Sequence, residues 1–504
     1  MTTKPARAAP VVHPDGLPVP RRYGAMLTMS IAIAVSVLDI AIANTALPTI
    51  AADLQASPAA SVWVVNAYQL ALVISLLPLA ALGEIIGYRT IYISGLVLFT
   101  VASVVCAMAW SLPSLTAARV LQGFGASGIM SVNAALIRFI YPTRLLGRGI
   151  GFNTLIVAIF SALGPTVAAG ILAVASWQWL FAINLPLGVI ALVVAVPTLP
   201  HTARSGHRFD AVSAMLNAGA FGLVIIAVGE AAHQASALEV GLELAAALGF
   251  GWLLLCRQAK HPAPMLPLDL FRRPIFALSA LTAACSFATQ GLAFVALPFY
   301  FQTVLGRSEV ETGLLMTPWP LVVAVMAPIA GRLSDRYSAG GLGGIGLAIL
   351  CAGMVLLALL PPDPSVPDIC WRMALCGWGF GFFQAPNQKA LLASAPPHRA
   401  GGASGIVAQA RLLGQTVGAA LVALCFSLAG AGGPVLGLAV GAGFAGLASI
   451  ASFLRLMHDD PSRRPRRVEP GAGAEAYRSA AKTKGGGSRS ATGSPTDSAG
   501  RSGL

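Results

Sequence analysis

One acidic residue lies inside a stretch that is otherwise long and apolar enough to cross a membrane. Asp39 stands within "SVLDIAIANTALPTI", residues 36–50, in an apolar run that begins at Ala25. A carboxylate at this depth is costly, and intramembrane acids commonly serve ion or proton pathways. Asp39 is therefore our first candidate for a titrating group. The alternatives are a packing salt bridge or a helix cap at a broken turn.

Two arginines lie inside apolar stretches as well. Asp39 lies about 21 Å along its helix from Ala25, and Arg119 lies about 10 Å below the same predicted membrane face. The two charges can therefore pair, with Arg119 either taking part in proton coupling or tying its helix to neighbouring carbonyls. Arg411 lies about 12 Å from the opposite face with no obvious acid at its depth. We expect it to donate to carbonyls or to line a substrate cavity.

The composition is that of a helical membrane protein. Of the 504 residues, 56% are hydrophobic and only 10% are charged, whereas about a quarter of a soluble domain is charged. The seven cysteines lie in or beside apolar runs without CxxC or zinc spacing, and no histidine lies in the middle of a run. The sequence therefore predicts no metal site and no cofactor.

Apolar runs separated by turn and charge clusters predict an all-α membrane protein with fourteen spans. An even number of spans places both termini on one side of the membrane. The predicted spans are 25–46, 62–82, 90–110, 113–137, 150–174, 178–199, 211–230, 238–256, 275–301, 311–331, 341–361, 369–391, 403–427 and 433–455.

The loop charges predict that both termini are cytoplasmic. In that orientation the cytoplasmic loops and the adjoining span ends from Arg89 to Arg399 hold fourteen Lys or Arg residues, and the external loops and span ends hold two, Arg307 and Arg372. This distribution follows the positive-inside rule. Ten of the 32 Lys and Arg residues lie from Arg455 onward, and the segment 457–504 is predicted to be disordered and cytoplasmic. Membrane lipid is therefore an expected partner and nucleic acid is not.

A weak internal repeat divides the chain. "GEIIGYR" at 83–89 and "GRLSDRY" at 331–337 occupy equivalent turns, with Glu84 and Asp335 separated by 251 residues. Eight spans separate these partners, which predicts two six-helix halves flanking an inserted helix pair. The predicted organisation is an N-terminal tail 1–24, a first half 25–199, an inserted pair 200–274, a second half 275–456 and a C-terminal tail 457–504.

Several motifs together resemble the fourteen-helix drug:proton antiporter family of the major facilitator superfamily. They are "LDIAIANTALPTI" at 38–50, "WVVNAYQL" at 63–70, "ARVLQGFGASG" at 118–128, "ALGPTVAAG" at 162–170, "WQWLFAINLPLG" at 177–188, "GRLSDR" at 331–336 and "RAGGASG" at 399–405. The sequence departs from the usual gating motif at Ala80, Glu84, Ile85 and Tyr88. It departs from the fifth-span antiporter motif at Ala168 and Ala169.

The resemblance implies a proton-coupled antiporter of the bacterial inner membrane that works by alternating access. Its expected substrates are lipophilic drugs or biocides. Cationic compounds are favoured, because a cavity with one carboxylate and several aromatic faces attracts positive charge. The resemblance also implies gating roles for Glu84, Arg89, Asp335 and Arg336, and a helix bend at Gly164 and Pro165. Polar and aromatic residues in the spans are cavity candidates, with core packing or lipid contact as the alternative for each: Asn44, Asn66, Tyr68, Gln69, Gln290, Phe294, Phe383, Gln384, Asn387 and Arg411.

The sequence leaves one alternative kind of transport open and gives no support to other functions. A dedicated exporter of one metabolite or antibiotic is the second hypothesis, because sequence does not reveal how wide a range of compounds a binding pocket accepts. The chain shows no nucleotide-binding loop, no HExxH and no Ser/His/Asp set at a common depth, so an enzyme is not expected. A sensor without transport would need a signalling domain, which the tail cannot form. The functional unit is expected to be a monomer, and an adaptor or outer-membrane partner is left open.

Overall fold

The computed structural model describes residues 16–142, 145–202, 209–232, 236–259, 268–394 and 400–457. Most of the predicted tails 1–24 and 457–504, and also Arg399, lie outside the described residues. The described part of the chain is almost entirely helical. Its first eight helices are α1 (Val19–Asp53), α2 (Pro58–Ser61), α3 (Trp63–Ile86), α4 (Tyr88–Ala107), α5 (Leu112–Ile140), α6 (Leu146–Leu172), α7 (Trp179–Ala182) and α8 (Asn184–Thr198).

Nine further helices follow. Two of them, α9 (Ala211–Ala232) and α10 (Ala237–Ala259), form the predicted inserted pair. The others are α11 (Pro274–Phe299), α12 (Glu309–Met316), α13 (Pro318–Leu333), α14 (Ala339–Ala358), α15 (Val366–Ser394), α16 (Ala400–Ala429) and α17 (Gly433–Leu454).

Local sequence signals explain several helix boundaries. Ser111 and Ser114 form a reciprocal capping box at the start of α5, and Ser308 and Glu311 do the same at α12. These side chains satisfy backbone N–H groups that have no partner inside the helix. Pro318 opens α13 directly after α12, so the predicted span 311–331 consists of two consecutive helices. Such caps fix where each helix meets the next.

Twelve helical stretches among the described residues are long and apolar enough to cross a membrane. One of them, Gly405–Met457, contains both α16 and α17, joined by the short 3-10 turn Gly430–Gly432. The 29-residue helix α15 is not among the twelve. It carries charged residues along its length, such as Asp368 and Lys389. Length and composition thus establish a multi-pass helical membrane protein with twelve candidate spans.

The helices are arranged as two bundles with a peripheral pair. Helices α3, α4 and α5 pack together in the first half, and α11, α14, α15 and α17 pack together in the second. Helix α9 contacts α3 and α16, and Asn217 of α9 donates to the carbonyl oxygen of Ile74 at 3.0 Å. Helix α10 packs mainly on α9 and exposes Leu242, Leu248 and Trp252. An exposed apolar face of this kind suits contact with lipid.

The two halves are sealed together at one end. One apolar cluster includes Leu47 and Ile50 of α1, Phe299 of α11, and Val422 and Ala423 of α16, so it combines both halves. A second cluster lies in the first half apart from one α16 residue, and a third lies wholly within the second half. The halves therefore meet most extensively where α1, α11 and α16 end.

Candidate functional site

Asp39 and Arg119 form a buried ion pair in the first half. Oδ2 of Asp39 on α1 accepts a hydrogen bond from Nη1 of Arg119 on α5. Each side chain is about 1% exposed. The backbone carbonyl of Val64 also accepts from Arg119 Nε, at 3.0 Å. The structure thus brings together the two residues that the sequence placed at a common depth.

Neutral amides complete the coordination of the carboxylate. Gln122 donates its Nε2 to Asp39 Oδ1 at 2.9 Å, and Asn184 donates its Nδ2 to the same oxygen at 2.8 Å. The Gln122 Oε1 accepts from Arg119 at 2.6 Å, and the Ser103 hydroxyl accepts from Gln122 at 2.9 Å. Four helices, α1, α4, α5 and α8, therefore contribute to one buried network.

Two aromatic rings cover the guanidinium. The centre of Arg119 lies 4.2 Å from the ring centroid of Tyr68 and 5.5 Å from that of Phe181. Cation–π attraction is strongest where water is excluded, as it is here. The Tyr68 side chain is fully buried, and its hydroxyl approaches the Ser36 carbonyl at 3.5 Å. Tyr68 was predicted as a cavity residue and instead belongs to the charge cluster.

The cluster is electrically balanced in this conformation. Asp39 has an ionic partner and two amide donors, so its carboxylate is already compensated. A compensated carboxylate has little attraction left for a cation outside the cluster. This weakens the basis for the predicted preference for cationic substrates. A proton can reach Asp39 only if the surrounding helices move, because both charges are sealed from solvent.

The predicted gating residues make no contact across the halves among the described residues. Asp335 forms an ion pair with Lys389 on α15 in its own half, where both side chains are exposed. Arg89 contacts the ring of His201 and the carbonyl of Val196, which also lie in its own half. Glu84 and Arg336 are exposed. The reason is geometric, since the halves meet mainly at the other end of the bundle.

Gly164 and Pro165 lie in α6, where this helix of the first half packs against α1 and also reaches the second half. A Cβ at Gly164 would lie 2.3 Å from the Cβ of Ala41, so only glycine permits this approach of α6 to α1. Pro165 is inside α6 and cannot donate a backbone hydrogen bond. The neighbouring Thr166 hydroxyl lies 2.8 Å from that of Thr317 in the second half. The predicted helix-bend motif thus lies at the junction between the halves.

Several predicted cavity residues form hydrogen bonds with other side chains of the protein. Gln69 accepts from Thr416 across the halves at 3.1 Å, and Gln290 accepts from Gln415 at 2.8 Å. The remaining candidates fall into three groups. Phe383 and Asn387 are buried in the second half; Phe294, Gln384 and Arg411 are half-buried; Asn44 and Asn66 are buried with side-chain oxygens that lack a hydrogen-bond partner among the described residues.

Sequence reasoning missed three members of the network and a second buried arginine. Gln122 follows Arg119 by one helical turn, which was a usable signal, whereas Ser103 and Asn184 come from separate helices. Arg455 at the end of α17 is 2% exposed and donates to Asn387 Oδ1 at 2.6 Å and to Ser279 Oγ at 2.9 Å. Its position at a span end gave no sign of this burial.

The two bundles and the buried charge network define a multi-pass helical membrane protein of the transporter class. The sequence profile of the Major Facilitator Superfamily matches residues 29–419, and the chain belongs to that family. Family membership indicates transport rather than catalysis as the activity.

Three relatives are similar over most of the chain. The chain is 55% identical to the uncharacterized transporter YebQ of Escherichia coli K12, covering 89% of this chain and 98% of the relative. It is 30% identical to the riboflavin transporter RibZ of Clostridioides difficile, covering 81% and 89%. It is 32% identical to the multidrug resistance protein Stp of Mycobacterium tuberculosis, covering 76% and 72%.

A solved structure shares the fold. The chain resembles the crystal structure of a POT family transporter in complex with a thioalcohol-conjugated peptide, with a TM-score of 0.65 and 15% identity. The match covers 86% of this chain and 95% of that one. At this identity the likeness concerns the fold alone.

Proposed function

We propose that the protein is a proton-coupled antiporter that exports lipophilic small molecules across the bacterial inner membrane. The observation that carries the proposal is the buried network of Asp39, Arg119, Gln122 and Asn184 beside the seal between the halves. Intramembrane acids that pair with a basic residue commonly mark proton pathways. Similarity to the multidrug resistance protein Stp supports export as the direction of transport.

A proton on Asp39 would change the packing at the seal. Protonation removes the negative charge, so Arg119 loses its ionic partner and must find other acceptors. Leu38, the preceding residue, belongs to the apolar cluster shared by the halves, as does Phe181, which covers Arg119. A rearrangement of the ion pair would therefore be transmitted directly to the contact that closes this end. Such a coupling links proton binding to alternating access.

The membrane topology in this proposal has fourteen spans and two cytoplasmic termini. Helices α16 and α17 each exceed 20 residues and are separated by a turn, and α15 is 29 residues long. A helix of 20 residues crosses the hydrocarbon core of a bilayer. Counting α15 and separating α16 from α17 raises twelve candidate stretches to fourteen. With the loop charges as above, the sealed end is external and the conformation is inward-facing.

A dedicated exporter of one compound is the second candidate. Similarity to the riboflavin transporter RibZ supports this alternative, because the relatives include a protein named for a single substrate. The fourteen-helix drug:proton antiporter subfamily remains our preferred placement within the superfamily.

Transport by purified protein tests the proposal. The full chain is reconstituted in proteoliposomes, a pH gradient is imposed, and accumulation of lipophilic dyes is followed by fluorescence. We expect accumulation that depends on the gradient and collapses with a protonophore. Asp39→Asn should bind dye but lose the gradient-driven accumulation. Gradient-independent transport by both proteins would contradict proton coupling.

A further inference from the structure

Arg411, near the middle of the bundle, is a second cation inside a span and has no acidic partner among the described residues. Arg411 lies about 16 Å along α16 from its start at Ala400, in a helix about 45 Å long. Five ion pairs connect described residues, and Arg411 belongs to none of them. Its Nε is shielded from solvent and has no hydrogen-bond partner among the described residues.

The contacts of α16 place Arg411 between the two halves. Two residues before it, Gln409 donates to the Val73 carbonyl of α3 at 3.3 Å. The following residue, Leu412, packs into the apolar cluster of the first half. Ala419, which belongs to the seal, lies about 12 Å further along the helix. Arg411 is half-buried on the unsealed side of this contact.

Neighbouring polar side chains connect the position of Arg411 with an aromatic pair further along the bundle. Gln415 lies one turn further along the same face of α16 and donates to Gln290 of α11. Phe294, one turn beyond Gln290, packs edge-on against Trp319 with 5.4 Å between ring centroids. The Nε1 of Trp319 is a second buried donor without a partner among the described residues. A cation about two helical turns from aromatic rings suits an elongated amphiphile with an anionic group at one end and an aromatic part at the other.

We infer that Arg411 selects the charge of the transported molecule, and that the preferred substrates are aromatic amphiphiles with a carboxylate or similar anionic group. The guanidinium can donate two parallel hydrogen bonds to such a group. Phe294 would contact the apolar part of the substrate. This inference rests on the proposed export function and specifies its substrate class. It replaces the cationic preference predicted from Asp39, because Asp39 is already compensated while Arg411 is not.

Two dyes of one ring system test the charge selection. Carboxyfluorescein is anionic and rhodamine 6G is cationic, and both are xanthenes. Binding to the purified full chain is measured by fluorescence anisotropy, and gradient-driven accumulation is measured in proteoliposomes. The variants are Arg411→Gln, Arg411→Lys and, as a surface control that also removes one charge, Arg272→Gln, whose side chain is exposed.

We expect the wild type and Arg272→Gln to bind carboxyfluorescein more tightly than rhodamine 6G. Arg411→Gln should reduce this preference about ten- to hundredfold, the usual effect of losing a charged hydrogen bond. Arg411→Lys should give a smaller loss in the same direction, and it decides the outcome if Arg411→Gln does not insert. Equal losses for both dyes, or stronger binding of rhodamine 6G by the wild type, would overturn the inference.

The same measurements separate this inference from the proposed function and from lipid binding. Arg411-dependent binding without gradient-driven accumulation of either dye would support the inference and contradict proton-coupled transport. Accumulation with an unchanged dye preference in Arg411→Gln would contradict only the inference. The assay is repeated in phosphatidylcholine vesicles with and without phosphatidylglycerol. If Arg411→Gln has an effect only with the anionic lipid, Arg411 recognises a lipid headgroup and the inference is wrong.

Discussion

Gly313 of α12 lies directly against the carbonyl oxygen of Pro165 in α6, so the two halves meet here backbone to backbone. A Cβ at Gly313 would lie 2.5 Å from that oxygen and 2.6 Å from the Cβ of Ala169. The hydroxyls of Thr166 and Thr317 meet at 2.8 Å close by. The closed arrangement of this end therefore depends on the absence of a side chain at residue 313.

We expect Gly313→Val to shift the protein away from the conformation closed at this end. The valine side chain would force α6 and α12 apart, whereas an arrangement in which the halves separate there has room for it. Spin labels at Ala52→Cys and Val304→Cys, which lie near the sealed end in different halves, report the separation in a cysteine-free background. Pulsed electron paramagnetic resonance should show a longer mean distance in the variant.

Gly443 supplies the matched control for this experiment. It lies in the helix α17, and a Cβ there would meet no atom within 4 Å. Gly443→Val carries the same change in helix propensity without a steric conflict. Its distance distribution should equal that of the parent protein. An unchanged distribution in Gly313→Val would show that the backbone contact does not hold the closed end.

The amide donors to Asp39 should matter for stability. Asn184→Leu removes one of two amide hydrogen bonds to a buried carboxylate, and leucine cannot replace the donor. We expect a loss of about 1–3 kcal/mol in the free energy of unfolding. Thermal unfolding in detergent measures it. Asn133→Leu removes an amide that donates to the neutral Asn153 Oδ1 at 3.0 Å, so it should cost less. Equal losses of unfolding free energy in Asn184→Leu and Asn133→Leu would show that the charge of the hydrogen-bond acceptor is irrelevant.

The helices and the depth of the charge pair could be predicted from sequence because both follow from distance along a helix. Asp39 and Arg119 share a depth by counting residues at 1.5 Å each. Apolar runs separated by turn and charge clusters likewise indicated where the long helices lie. The position of a helix and the depth of a residue in it depend on the sequence of that helix alone.

The partners of these residues could not be predicted because they depend on how helices rotate and approach one another. Asn184 and Gln122 reach one oxygen of Asp39 from different helices. Asp335 was assigned a gating role, and its partner in this conformation, Lys389 of the same half, was not predicted. Tyr68 was predicted as a cavity residue because it is a polar and aromatic side chain within a span, yet its ring covers Arg119. Each assignment needed the tertiary arrangement.

Asp210 should stabilise the peripheral pair without affecting transport. Its carboxylate accepts from the Ser213 N–H at 3.1 Å, from the Ser213 hydroxyl at 2.6 Å, and from Arg257 at 2.9 Å. Partial burial acts to raise the pKa of Asp210, but hydrogen bonds from Arg257 and Ser213 outweigh it, so the pKa lies well below its usual range. Asp210→Ala should cost about 1 kcal/mol from the lost cap, at unchanged transport rate.

The pH dependence of this effect has a definite sign. A carboxylate with a lowered folded-state pKa stabilises the protein above its unfolded value, about pH 4, and the contribution fades as the pH falls further. The difference in melting temperature between wild type and Asp210→Ala should therefore shrink below about pH 4. Asp363→Ala is the control, because the Asp363 side chain is fully exposed and lies 4.0 Å from Arg307, and it should change little at any pH. A difference that grows on acidification would contradict the assignment.

Replacing Asp39 and Arg119 separately and together distinguishes a proton-coupling role from a structural ion pair. Asp39→Asn retains the size and hydrogen bonding of the side chain but cannot titrate, so it should end drug-induced proton release. It also leaves Arg119 as a buried charge without its partner, which typically costs about 3–5 kcal/mol. Asp39→Glu keeps the titrating group on a longer arm and should retain partial activity. Transport in proteoliposomes with a pH gradient is measured beside the melting temperature.

The double variant Asp39→Asn with Arg119→Gln removes both charges and leaves neutral amides that can hydrogen-bond with Gln122 and Asn184. Its melting temperature should recover relative to either single variant, because no unpaired buried charge remains. Its proton-coupled transport should stay absent, since no group in the network can then take up a proton. Recovery of stability without transport is the pattern that only a coupling role explains. If the double variant regains gradient-driven transport together with stability, Asp39 serves Arg119 only as a counter-ion, and the protons travel elsewhere.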